Sequence, residues 1–240
     1  MHVIGPVLTT AGLTFGCLVL AHAALYLVAG RSPTADTCDA AQRPTLPWRL
    51  ILTEALASVW LAVTCLSPWR SRFGDATTTT SAVLLVAPRW MPAGALALLG
   101  RRLASRGLLV DLVRAPFHAT EAHLARIAFR AERLGRTAGY DPALVCFYDG
   151  CNVADRIARL LTPAAAIEVM LVAPRIGPGS PIASAPIPTV IRVAGDPWDR
   201  SDVRQPPTTI ELAGIGHLSL LVAPHVADVI ADALRAPGRP

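Results

Sequence analysis

Lysine is missing from this chain. All 22 basic residues are arginine, set against 17 acids for a formal net charge of +5. Such uniform arginine usage reads as a coding bias toward GC-rich codons. Nucleic-acid binding needs basic residues gathered on one face with aromatic platforms among them. Here the arginines are scattered and aromatics make up 5% of the chain, which argues against nucleic acid as a partner. Cysteine is scarce as well. Cys17, Cys38, Cys65, Cys146 and Cys151 form no C-x-x-C pair. An odd set without that spacing is neither a disulfide framework nor a metal-binding pattern, and the thiols read as small buried hydrophobes. No metal and no cofactor is expected.

Charge is also absent from residues 3–30, apart from what His22 can carry. The chain is 52% hydrophobic, above the roughly 45–50% of an ordinary soluble domain, and the excess lies at this end. About 20 apolar residues cross a bilayer core, so 3–30 is expected to be an uncleaved transmembrane helix. Residues 31–47 are a polar, proline-containing linker. A second apolar helix is expected at about 48–68, spanning the membrane or lying in its interface. It is interrupted only by Glu54, an acid that would face a partner helix or sit near the headgroups. Trp48, Trp60 and Trp69 would be interfacial anchors. The expected organisation is a membrane anchor over 1–75 and a globular domain over 76–240. With arginine on the connecting loops, the domain is expected on the cytoplasmic side of the inner membrane.

Beyond residue 76 the hydrophobic pattern changes. Residues 81–87 are a continuous apolar run, as in a strand buried on both faces. Residues 93–106 have helical periodicity and stop at Gly107. Further strands are expected at 108–113, 144–147, 167–173, 189–194 and 208–212. Helices are expected at 121–135, 153–161 and 224–234. Strands alternating with helices predict an α/β fold, a doubly wound and mostly parallel sheet. Its active site would form at the carboxyl ends of the strands.

One turn in this pattern lacks the residue its context calls for. Residues 143–160 run from an apolar strand through Cys146-Phe147-Tyr148-Asp149-Gly150-Cys151 into an amphipathic helix. Strand, tight turn and helix form the setting of a nucleophile elbow, in which G-x-S-x-G exposes a serine on a strained turn. With Gly150 as the second glycine, Tyr148 takes the serine's place and Cys146 that of the first glycine. Tyrosine is bulky for such a turn, and its reference pKa of about 10 makes it a poor acyl-transfer nucleophile. Shifted registers would offer Asp149 or Cys151 instead, each with larger neighbours at the small positions.

From residue 81 to 234 the chain resembles the α/β-hydrolase fold, in particular membrane-anchored bacterial lipases and esterases of the triacylglycerol-lipase type. The most specific block is Gly214-Ile215-Gly216-His217-Leu218-Ser219-Leu220-Leu221, which is similar to the segment that carries the family's catalytic histidine. The resemblance implies a triad of nucleophile, histidine and acid. It assigns the nucleophile position to Tyr148, the histidine to His217 and the acid to Asp199, with Asp196 as the alternate. It also exposes two further departures. The family's His-Gly oxyanion signature is here Ala87-Pro88-Arg89-Trp90, and proline has no N–H to donate. Residues 173–188 are short for a lid. The expectation is a catalytically inactive relative that acts as a binding or accessory subunit, in contact with the lipid bilayer and with other membrane-protein subunits. Two alternatives stand beside it. One is an active carboxylic-ester hydrolase with an atypical nucleophile, and the other is a protein that binds lipid or acyl ligands.

Overall fold

The computed structural model describes residues 48–66, 71–161 apart from 78 and 80, 168–174, 189–193 and 208–235, together with 14, 16, 17 and 19–21. Seven strands form one sheet: β1 (Arg72–Phe73), β2 (Ser81–Ala87), β3 (Leu108–Arg114), β4 (Pro142–Phe147), β5 (Val169–Val172), β6 (Thr189–Val193) and β7 (Thr208–Leu212). Their order is β1-β3-β2-β4-β5-β6-β7. Every pairing is parallel except that of β1 with β3. Among the described residues the helices with printed bounds are α1 (Trp48–Leu66), α2 (Ala97–Ala104), α3 (Glu121–Ala138), α4 (Ala154–Leu160) and α5 (Pro224–Arg235), and 14, 16, 17 and 19–21 are helical too.

The unbroken apolar run of β2 is explained by cover on both sides. Val83, Leu85 and Ala87 belong to one core with Leu99 and Leu103 of α2 and Val226, Ile230 and Ala231 of α5. Leu84 and Val86 point the other way, into a core with Leu124, Ile127 and Ala131 of α3 and Ile157 of α4. β4 divides in the same fashion, with Val145 and Phe147 on the first side and Leu144 and Cys146 on the second. Alternate residues of a strand face opposite ways, so a central parallel strand must be apolar throughout. Helix ends follow local rules. Thr120 accepts the His123 amide at the start of α3, and Gly139 closes it in the left-handed region at φ 73°.

Three features differ from the sequence reading. The expected helix at 93–106 divides into a 3-10 turn, Ala93–Leu96, and α2. β1 falls within 1–75, the stretch expected to be the membrane anchor. Arg72 and Phe73 pair with Asp111 and Val110 of β3, two residues being too short a run for periodicity to reveal. The third difference concerns the membrane segments. Among the described residues no helix is long and apolar enough to cross a membrane, so the spanning alternative for α1 is not supported. Instead, α1 lies against the domain, with Ile51, Glu54, Ala55, Ala57 and Thr64 buried. The Trp60 indole donates to the carbonyl of Ala95 at 3.1 Å. α1 and β1 therefore pack together with the residues beyond 76. Most of 3–30, and with it the expected anchor, lies outside the described residues.

Candidate active site

The strand–turn–helix unit places Tyr148 where β4 ends. A 3-10 turn, Tyr148–Val153, links β4 to α4. Tyr148 has φ 52°, one of two non-glycine residues with positive φ among those described. A left-handed tyrosine costs about 1–2 kcal/mol, and single strained residues of this kind gather at functional sites. The register with Gly150 as second glycine also fits. A Cβ on Gly150 would come within 3.1 Å of the Val86 carbonyl and 3.3 Å of the Ala87 carbonyl, so a side chain there would crowd the end of β2. The strand therefore ends in a tight turn with a left-handed tyrosine at its first position.

Tyr148 is 1% exposed. Its ring lies 4.3 Å from the His217 imidazole, centroid to centroid, and 6.0 Å from the Trp90 ring. Its hydroxyl donates to the backbone carbonyl of His217. In a working triad the nucleophile's oxygen meets an imidazole nitrogen. Here the long phenol side chain stacks on the imidazole and bonds the main chain behind it. The sequence match that paired positions 148 and 217 thus corresponds to neighbours in space, while the bond between them is of another kind.

The alternates at the turn are poorly placed for attack. Only Tyr148 holds the strained apex; Asp149 does not, and its carboxylate is ion-paired to Arg89 at 3.1 Å. Cys151 donates its thiol to the Cys146 carbonyl at 3.1 Å and is buried. Burial pushes its thiol well above the ordinary range, and the neighbouring Cys146 adds to the effect. Burial alone pushes Cys146 up to about 12. The thiolate is the reactive form, so neither sulfur is a nucleophile near neutral pH. Asp199, the expected acid, and its alternate Asp196 lie outside the described residues, as does 175–188, where a lid was expected to be short.

At the oxyanion side, the Ala87 and Pro88 carbonyls both accept backbone amides. The Ala87 carbonyl accepts the Ala115 amide at 2.8 Å and the Pro88 carbonyl accepts the Met91 amide at 3.1 Å. Arg89 is turned to Asp149 and Trp90 to Tyr148. The side chains of this loop therefore close on the elbow.

One participant has a role that the sequence did not reveal. Glu54 of α1 accepts the amide of Leu218 at 2.9 Å and that of Ser219 at 2.6 Å, the two residues after His217. Ser219 in turn bonds the Gly216 amide at 2.8 Å and the Gly216 carbonyl at 3.1 Å. A Cβ on Gly216 would collide with the Glu54 carboxylate. The run around His217 thus also receives Glu54. A lone carboxylate in an apolar helix was the available signal. Among the described residues no cluster of His, Cys, Asp or Glu could hold a metal ion.

No family model matches the sequence, and no curated protein matches it. Among solved structures, the chain is similar to a dienelactone hydrolase from Anabaena variabilis, at 16% identity, covering 67% of this chain and 87% of that one with a TM-score of 0.48. It is similar to an arylesterase at 12% identity, covering 86% and 97% with a TM-score of 0.46. It is also similar to esterase PE8 at 15% identity, covering 68% and 95% with a TM-score of 0.42. These likenesses are too slight to carry an activity across, so the chemistry has to be argued from the site's own residues. The seven-stranded, mostly parallel sheet is consistent with the α/β-hydrolase fold.

Proposed function

We propose that this is an α/β-hydrolase-fold protein that does not hydrolyse esters and serves as a binding or accessory subunit of a membrane complex. The observation that carries the first half is Tyr148. It occupies the elbow apex, fills the space before His217 and commits its hydroxyl to a backbone carbonyl. A nucleophile must reach a substrate carbonyl within about 3–3.5 Å, and a 1%-exposed phenol held this way has no such approach. A substrate would also find the imidazole against the ring and Trp90 beside it. The membrane half is supported by the uncharged run 3–30. Fold alone confers no activity once the site is altered.

A protein that holds an acyl ligand beside His217 is less well supported, because the buried Tyr148 ring already lies against the imidazole. The test is direct. The purified full chain is expected to turn over p-nitrophenyl butyrate no faster than buffer, and to remain unlabelled by a fluorophosphonate. Hydrolysis that disappears on His217→Ala would overturn the reading in favour of an ester hydrolase with an atypical nucleophile.

A further inference from the structure

α1 has two faces of opposite character. Its inner face holds Ile51, Glu54, Ala55, Ala57 and Thr64, all buried. Its outer face shows Trp48, Leu52, Leu56, Val59 and Val63, each between 38% and 67% exposed. Steps of three and four residues stack these side chains along one side of a helix. At about 1.5 Å per residue the stripe is about 22 Å long. Scattered exposed leucines are ordinary, but a contiguous apolar stripe marks a surface that something covers.

Charge indicates what covers it. The sole acid in α1 is Glu54, and it is turned inward to the amides of Leu218 and Ser219. The outer face therefore carries no negative charge. Arg49 is exposed beside Trp48 at one end, and Arg72 is exposed beyond the other. An apolar stripe with a tryptophan at its rim and flanking arginines matches the headgroup boundary of a bilayer, with the cations toward anionic phosphates. A second copy of this chain would bring the same face, with no acid to meet Arg49. Within the uncharged run 3–30, Cys17 and Leu20 are helical and exposed as well. Trp90, 47% exposed, and Phe117, 59% exposed, leave the carboxyl ends of β2 and β3. α1 packs at that end of the sheet too, through Trp60 to Ala95 and through Glu54 to the segment after His217.

We propose that the outer face of α1 docks in the plane of an anionic phospholipid bilayer, with the stripe from Trp48 to Val63 in the acyl boundary. The proposal deepens the membrane half of the reading above and rests on it. Glu54 then joins a lipid-facing helix directly to the loop of His217. The vacated site lies just behind the membrane contact.

The experiment uses the full chain reconstituted with phosphatidylglycerol vesicles that contain a trace of phospholipid with a diazirine on its acyl chain. After illumination, adducts are mapped by peptide mass spectrometry. Trypsin cuts this lysine-free chain only at arginine, so 1–31 and 50–70 are released as separate peptides. Adducts are expected on Leu52, Leu56, Val59 and Val63, at least tenfold above those on Ile51 and Ala55. The variant Leu52→Glu/Leu56→Glu should lose about tenfold of the 50–70 adducts with an unchanged circular dichroism spectrum. Adducts confined to 1–31 would overturn the docking face while leaving membrane attachment intact. A protein that stays in the supernatant without adducts would overturn both. Adducts of equal yield on phosphatidylcholine vesicles would overturn the anionic preference. Cross-links between the stripes of two copies, with no lipid adduct, would make the face a dimer interface instead.

Discussion

In the proposed reading, Tyr148 closes the site with one side chain and leaves the turn beneath it in place. The left-handed backbone persists at φ 52°, and its cost of about 1–2 kcal/mol is offset by burial of the ring and by the bond to the His217 carbonyl. Behind it, Cys146 and Cys151 complete the turn as hydrophobes. Their thiols give a prediction at the same scale. Burial raises both in the folded chain, Cys146 to about 12, while an unfolded cysteine ionises near 8.5. A raised folded value means the neutral thiol is favoured by folding, so its contribution is present below about 8.5 and is lost as pH rises toward 12. Above about pH 9, urea-unfolding stability should therefore fall by up to about 1.4 kcal/mol per pH unit for each thiol. Cys146→Ala/Cys151→Ala should flatten that slope. An identical slope in the variant would show that the thiols are not protected as described. Iodoacetamide at pH 8 should likewise modify exposed Cys17 and spare Cys146 and Cys151 until the chain is unfolded.

At the scale of elements, the sheet was legible because its strands are buried on both faces. The run 81–87 coincides with β2 and 208–212 with β7, and the other long strands differ only at their ends. α1 was legible as a helix but not as to what it packs on. An apolar run long enough for a bilayer looks the same as one for a core, since hydrophobicity does not name the neighbour. Glu54 is the residue that separates the two, because a carboxylate 2% exposed needs donors, and it finds them on the segment after His217. Of the site, the juxtaposition of Tyr148 and His217 was anticipated only through the resemblance to the α/β-hydrolase fold. The closing contacts of Arg89 and Trp90 left no signature in sequence, because they depend on side-chain directions across two loops. Glu54→Gln tests the element-level account. The amide offers one acceptor where the carboxylate offered two, so one of the Leu218 and Ser219 amides faces an N–H₂ group. Hydrogen bonds to charged groups contribute about 1.5–3 kcal/mol, and a loss of about 2 kcal/mol in urea unfolding is expected. Faster hydrogen exchange at Leu218 and Ser219 should accompany it. Leu52→Gln on the outer face of the same helix should move stability by less than about 0.5 kcal/mol.

Across the whole molecule, the question is where the folded body begins. The boundary at residue 75 suggested by hydropathy divides elements that are packed together. α1 carries the fully buried Ile51 and the Trp60 indole bonded to Ala95, and β1 closes the sheet edge beside Asp111, whose carboxylate is held by Arg130 at 2.7 and 2.8 Å. Burying one isoleucine contributes about 2 kcal/mol, and the two amide bonds to Glu54 contribute a similar amount. Domains hold only about 5–15 kcal/mol in all, so α1 supplies a substantial part of the total. Two truncated chains separate the alternatives. One begins at residue 46, keeps α1 and is expected to unfold in urea in a single transition at nearly the midpoint of the full chain. The other begins at residue 67, lacks α1 and leaves the amides of Leu218 and Ser219 and the apolar bed of Trp60 uncovered. It is expected to be recovered largely as aggregate, or to unfold with a midpoint lower by an amount matching a loss of several kcal/mol. Equal midpoints for the two chains would mean that α1 rests on the domain without stabilising it, and that the His217 segment keeps its shape unaided.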